Sequence, residues 1–197
     1  LDLILVTGDE ATTGDDGDLR LAFLYFNDPA LPGGWWSASD HPSFRQPAGP
    51  PIVLIPGNHD RFAGVFKSAG GTAFDKTFHD YWDGGRKVQT LAVLQGNNGE
   101  KLAIVSADFT LARNGDAQGL GGHFGQGYVY ANVLQDLLDE TQQLRGKHGK
   151  VGIVWAVHFP PFFPHIDSVL KLINEQLITA AAAQANVQQI LCGHTHT

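Results

Sequence analysis

Four apolar runs set the terms for this chain, because each one stops at a cluster of polar side chains. The run at 3–6 opens into Gly8 and Asp9. The run at 52–55 leads to Gly57, Asn58, His59 and Asp60. The run at 151–157 ends at His158, and the run at 187–192 ends at Gly193, His194, Thr195 and His196. Short apolar runs bounded by turn residues read as buried strands. Between them lie segments of helical character. Residues 21–26 read as a short helix. Residues 129–145 carry Val129, Val133, Leu134, Leu137 and Leu138 at helical intervals, and Asp167 or Ser168 is placed to cap a helix running to about residue 183. Two further strands, 88–95 and 101–107, flank Gly96-Asn97-Asn98-Gly99, a hairpin signal. Strands alternating with helices predict an α/β domain. In such sheets ligands bind beyond the carboxyl ends of the strands. If the four strands run parallel, their polar ends meet at one edge.

Composition narrows the partners. The 197 residues are 43% hydrophobic, enough for one domain with a sizeable core. The net charge of -7 argues against holding nucleic acid by its phosphates, which needs a basic patch. Cys192 is the single cysteine, so no internal disulfide forms, and a cytoplasmic compartment is the default reading beside a secreted one. No apolar run is long enough to span a bilayer as a helix, and no signal peptide is evident.

The residues at the strand ends indicate what binds there. A carboxylate, an amide oxygen and several imidazoles suit a borderline divalent cation such as Zn, Fe, Mn or Co. No thiolate cluster is present for a structural zinc knuckle. Three histidines, a carboxylate and an amide exceed what one tetrahedral ion with an open position needs, and they suit a two-metal site. Each cluster taken singly has an ordinary explanation. Gly-Asp after a strand is a turn, Gly-Asn-His-Asp an Asx turn, and His158 a core histidine satisfied by backbone. Four in order, each after an apolar strand and each offering oxygen or imidazole, are better explained by one site.

The remaining candidates rank lower. His41, His79, His123, His148 and His165 follow no apolar strand and read as surface or loop residues, with His123 in reserve because its stretch is glycine-rich. Cys192 reads as a small core residue. Trp35 and Trp36 fall in a long loop, 27–51, and either line a substrate mouth or pack that loop onto the domain.

With these residues assembled, the chain resembles the calcineurin-like metallophosphoesterases. That pattern runs Asp-x-His, Gly-Asp, Gly-Asn-His-Asp/Glu, a single His, then Gly-His-x-His. Gly8-Asp9, Gly57-Asn58-His59-Asp60, His158 and Gly193-His194-Thr195-His196 match it in order over nearly the whole chain. The resemblance implies a four-layer sandwich of two mixed β-sheets flanked by helices, with 1–197 as one domain. The Asp-x-His motif does not occur in these residues, and the chain stops one residue after His196, so the expectation is a domain truncated at both ends. The resemblance further implies two divalent ions (Mn, Fe, Zn or similar). Asp9 would bridge them, Asn58, His158 and His194 would complete the second site, and His196 would belong to the first. His59 would donate a proton, with Asp60 fixing its tautomer, and a metal-bridging hydroxide would attack phosphorus in line. The implied activity is hydrolysis of a small-molecule phosphate ester, either monoester or diester. A catalytically inactive scaffold or binding module on the same fold is the alternative. Such a protein is expected to have lost the proton donor, yet His59 and Asp60 are both present.

Overall fold

A computed structural model describes residues 3–27, 51–61, 72–110, 126–162 and 172–194. Its centre is a four-stranded sheet. β3 (Val88–Gln95) and β4 (Lys101–Ala107) form the expected antiparallel hairpin, closed by the Gly96 amide on the Glu100 carbonyl at 2.8 Å. β6 (Val151–Val157) pairs parallel with β4, and β8 (Gln189–Cys192) pairs parallel with β6, giving the order β3-β4-β6-β8. β1 (Ile4–Val6) and β2 (Ile52–Leu54) form a separate parallel pair in which Ile4 faces Ile52 and Val6 faces Leu54. A third small sheet joins β5 (Gly127–Tyr128) to β7 (Leu172–Ile173), again parallel.

Strand alternation splits the core. Side chains of a strand point to opposite faces in turn, and a strand buried on both faces reads as a continuous apolar run. On one face Ala103, Val105 and Ala107 of β4 join Ile153, Trp155 and Val157 of β6. They pack with Val133, Leu137 and Leu144 of α4 (Ala131–His148) and Ile178 of α5 (Glu175–Gln184). The Trp155 indole N–H, fully buried there, donates to Thr141 Oγ1 at 2.9 Å, which answers its polar end. On the opposite face Ile104 and Ala156 meet Leu54 and Ile55 with a set of large apolar side chains. These are Leu19, Ala22 and Phe26 of α1 (Asp16–Asn27), Phe74 of α3 (Thr72–Thr77), and Phe78 and Trp82 just after it.

Several boundaries differ from expectation. The helix read at 21–26 is the 12-residue α1, begun by Asp15, whose Oδ1 accepts from Gly17 N at 3.0 Å. Asp16 and Asp18 add negative charge to its first turn. The helix read at 129–145 is α4, which runs to His148 and stops where Gly149 turns to φ 66°. The helix expected to start at Asp167 or Ser168 does not run through 172–173, where the chain is extended. Those residues pair with β5, and α5 begins only after Asn174 at φ 62°. The final strand is shorter than read, β8 taking up only from Gln189. Cys192 is exposed at its end rather than packed in the core.

Candidate metal centre

Three loops converge because glycines let them. After β1 the chain passes Thr7 into Gly8 at φ 96° and Asp9 at φ 63°. A Cβ on Gly8 would strike the His158 ring, and one on Gly57 would strike the Asp9 carboxylate. A Cβ on Gly193 would sit 2.6 Å from the Thr7 carbonyl. Real Cβ atoms do not approach this closely, so the residue must be glycine for the exits of β1, β2 and β8 to meet. Asp9 and His194 (φ 69°) both hold left-handed backbone without being glycine, a strain that clusters at functional sites.

Four ligand atoms meet at this point. His158 follows β6, is buried, and its Nδ1 lies 2.7 Å from the Thr7 carbonyl. A carbonyl can only accept, so Nδ1 carries the proton and Nε2 turns inward with its lone pair. Asn58 Oδ1 lies 2.8 Å from His158 Nε2 and 2.8 Å from His194 Nδ1, and the two ring nitrogens are 3.1 Å apart. Asp9 Oδ2 is 3.3 Å from His158 Nε2. That oxygen is buried and makes no hydrogen bond among the described residues, while Asp9 Oδ1 accepts from His59 N at 3.0 Å. The Phe159 ring, buried, packs against both imidazoles with centroids 5.0 and 4.9 Å away. Lone pairs gathered this tightly repel unless a proton or a cation lies among them. Burial would lower the His158 pKa. The Asp9 carboxylate 3.3 Å away, the Thr7 carbonyl and the charge of Asp60 outweigh it and hold the value above 6.5. Burial would likewise raise Asp9, but His158 and the His59 amide hold it below 3.8. The ligand atoms of Asp9, His158 and His194 lie within 4.8 Å of one another, the one such group among the described residues. Carboxylate and amide oxygens with two imidazole nitrogens fit one borderline divalent ion, and the unpartnered Asp9 Oδ2 is the atom such an ion would satisfy.

Around this centre the expected roles of α2 (Asn58–Arg61) separate. His59 Nδ1 lies 2.8 Å from the Thr12 carbonyl, so it donates there. The carbonyl of Thr12 thus fixes the proton of His59 at Nδ1. Asp60 is fully buried and works on backbone instead, accepting from Asp9 N and Gly57 N at 2.8 Å and from Ala11 N at 2.9 Å. It joins the β1 exit to the β2 exit. Composition gives no signal for this, since its three partners are backbone amides. Glu10 is a residue that sequence reasoning misses. Both its carboxyl oxygens are buried and without a hydrogen-bond partner among the described residues. Burial, then the neighbouring Asp60, hold its carboxyl well above 4.5.

A family model described as calcineurin-like phosphoesterase matches residues 1–197. The chain belongs to that family. No curated protein matches it significantly. Membership makes a phosphoesterase-type function the natural reading of the Asp9, Asn58, His158 and His194 cluster. Among the other expected residues, His196, His41, His123, His165, Trp35 and Trp36 lie outside the described residues. His79 is exposed, as read. No helix among the described residues is long and apolar enough to cross a membrane.

Proposed function

We propose that this calcineurin-like phosphoesterase is a metal-dependent hydrolase of small phosphoric esters, monoester or diester, working on the four-layer sandwich of its family. The observation that carries the reading is the meeting of Asp9 Oδ2, Asn58 Oδ1, His158 Nε2 and His194 Nδ1, each an atom that can offer a lone pair to a cation. These four would hold one ion, and Asp9 and His196 would contribute to a second. Divalent ions bound there would supply charge for the phosphoryl oxygens and lower the pKa of bound water from 15.7 to about 7.

The chain's own groups set the rest. His158 is aimed by Thr7, so its ligating nitrogen needs no reorientation. His59 is oriented by Thr12 through Nδ1, and its Nε2 would carry a proton toward the leaving oxygen. Asp60 keeps the loop from Asp9 to Thr12 in register with Gly57, so ligand and proton donor are located together. The surrounding charge of -7 favours a compact ester over a long polyanion.

The test is hydrolysis of aryl and alkyl phosphate esters by the metal-loaded protein, the chelator-treated protein and His59→Ala. Chelation should abolish turnover. His59→Ala should lower it by about 10²–10⁴-fold on alkyl esters and by less on aryl esters, whose leaving groups need no proton. Equal losses on both esters would remove His59 from the role. Full activity after chelation would end the metal-dependent reading.

A further inference from the structure

The four ligand atoms belong to two different sheets. Asp9 and Asn58 leave β1 and β2, while His158 and His194 leave β6 and β8. Some contact must hold the β2 exit against the four-stranded sheet. Arg61, the last residue of α2, has a side chain 0% exposed. Its Nε and Nη2 donate to Asp108 Oδ2 at 3.1 and 2.8 Å, and its Nη1 donates to Asp75 Oδ1 at 2.7 Å. Asp108 is the residue after β4. Its other oxygen accepts from Thr110 N at 3.0 Å and Thr110 Oγ1 at 2.6 Å, and its own amide donates to the Lys87 carbonyl at 2.8 Å. The Phe74 ring lies 5.1 Å from the guanidinium carbon. Burial works against the charge of Arg61, and Asp108 and Asp75 outweigh it.

A buried ion pair is weak evidence for stability, because taking the charges out of water offsets most of their attraction. Geometry gives this one a different use. Arg61 sits two residues after His59 and three after Asn58 on a single turn, so whatever fixes Arg61 fixes both.

We propose that Arg61 is a positioning residue: through Asp108 and Asp75 it fixes the Asn58–Arg61 turn against the four-stranded sheet and sets Asn58 opposite His158 and His194. This rests on the reading of those residues as a metal centre. Outer partners of ligands orient them, and losing one typically costs about 10–100-fold in metal affinity.

The probe is cobalt(II), titrated into the 197-residue chain and followed by visible absorption, alongside thermal unfolding. The variants are Arg61→Met/Asp108→Asn, which removes the clamp without stranding a charge between those two residues, and Asp75→Asn. The double variant should melt within roughly 5 °C of the parent, as neutral replacement of a buried pair allows. Its cobalt dissociation constant should rise about 10–100-fold, with a changed spectrum, because Asn58 is displaced. Asp75→Asn should show a smaller rise in the same direction. A folded double variant with the parent's affinity and spectrum overturns the proposal. Should the double variant melt far earlier, Asp75→Asn decides, and an unchanged cobalt affinity there overturns it equally. A parent that binds no cobalt, or binds it equally well as His158→Ala, sinks the metal-centre reading itself. Parent binding that depends on His158, with indifferent clamp variants, sinks only the role of Arg61.

Discussion

His158 shows at the scale of one residue how the site is poised. Its Nδ1 is committed to Thr7 and its Nε2 faces Asp9, Asn58 and His194, so in a metal-free chain a proton does the work of a cation. The folded pKa of His158 lies above 6.5, so its contribution to stability is complete below 6.5 and fades as pH rises through the folded value. Asp9 runs the other way. Its folded pKa lies below 3.8, so its contribution is complete above 3.8 and fades as pH falls through the folded value. The pair therefore stabilises the metal-free chain most between those limits. Glu10, held neutral well above 4.5, also costs stability as pH rises, so a comparison is needed to isolate the histidine. We expect the denaturant midpoint of chelator-treated protein to fall as pH rises above about 6.5, and to fall less in His158→Gln. Metal affinity should rise over the same range, because the proton must leave Nε2 first. A parent and a His158→Gln variant with parallel pH profiles would show that His158 titrates the same way folded and unfolded.

At the scale of elements, the exits of β1 and β2 behave as one unit because Asp60 accepts from amides on both. Asn at this position offers one acceptor oxygen and turns an NH₂ toward an amide N–H. Leaving a buried donor unanswered costs about 1–3 kcal/mol. Asp60→Asn should lower the denaturant midpoint accordingly at unchanged slope, and should weaken metal binding as Asp9 loosens. A midpoint equal to the parent's would mean that the carboxylate joins nothing. Much of this architecture is legible from residues alone. Each ligand-bearing loop announces itself as an apolar run followed by glycine or histidine, and Gly96-Asn97-Asn98-Gly99 marks the hairpin. Asp108 obeys the same rule after β4, but a lone aspartate after a strand reads as a turn, and a lone Arg61 reads as solvated. Nothing in composition pairs the two, since 47 residues separate them and only the packing of one sheet on another brings them together. β7 is illegible for a similar reason: two residues at 172–173 become a strand only because Gly127 and Tyr128 lie alongside. The start of α1 is written in Asp15, Asp16 and Asp18, yet the glycines and threonines around them give the stretch the look of a loop.

The whole molecule meets at the candidate metal centre, since two of its four converging side chains come from each of two separately hydrogen-bonded sheets. An ion bound there acts as a cross-link that the unfolded chain lacks, so its binding free energy adds to folding. With free ion at about 100 times its dissociation constant the gain is about 2.7 kcal/mol. For a chain of this length each kcal/mol moves the melting temperature by roughly 2–4 °C. Manganese should therefore raise it by roughly 5–11 °C. The donors within these residues set the stoichiometry. On the proposed reading Asp9, Asn58, His158 and His194 would serve one ion, and Asp9 and His196 would serve a second. Two protein ligands leave water to fill the remaining positions, and such a site holds a divalent ion weakly. The 197-residue chain should accordingly retain close to one manganese after gel filtration. His158→Ala should abolish both that retained ion and the thermal shift, whereas His59→Ala should leave both in place. Two ions retained tightly would mean that donors beyond these complete the second site. A thermal shift that survives His158→Ala would mean that the ion binds elsewhere and that the four converging ligands hold none.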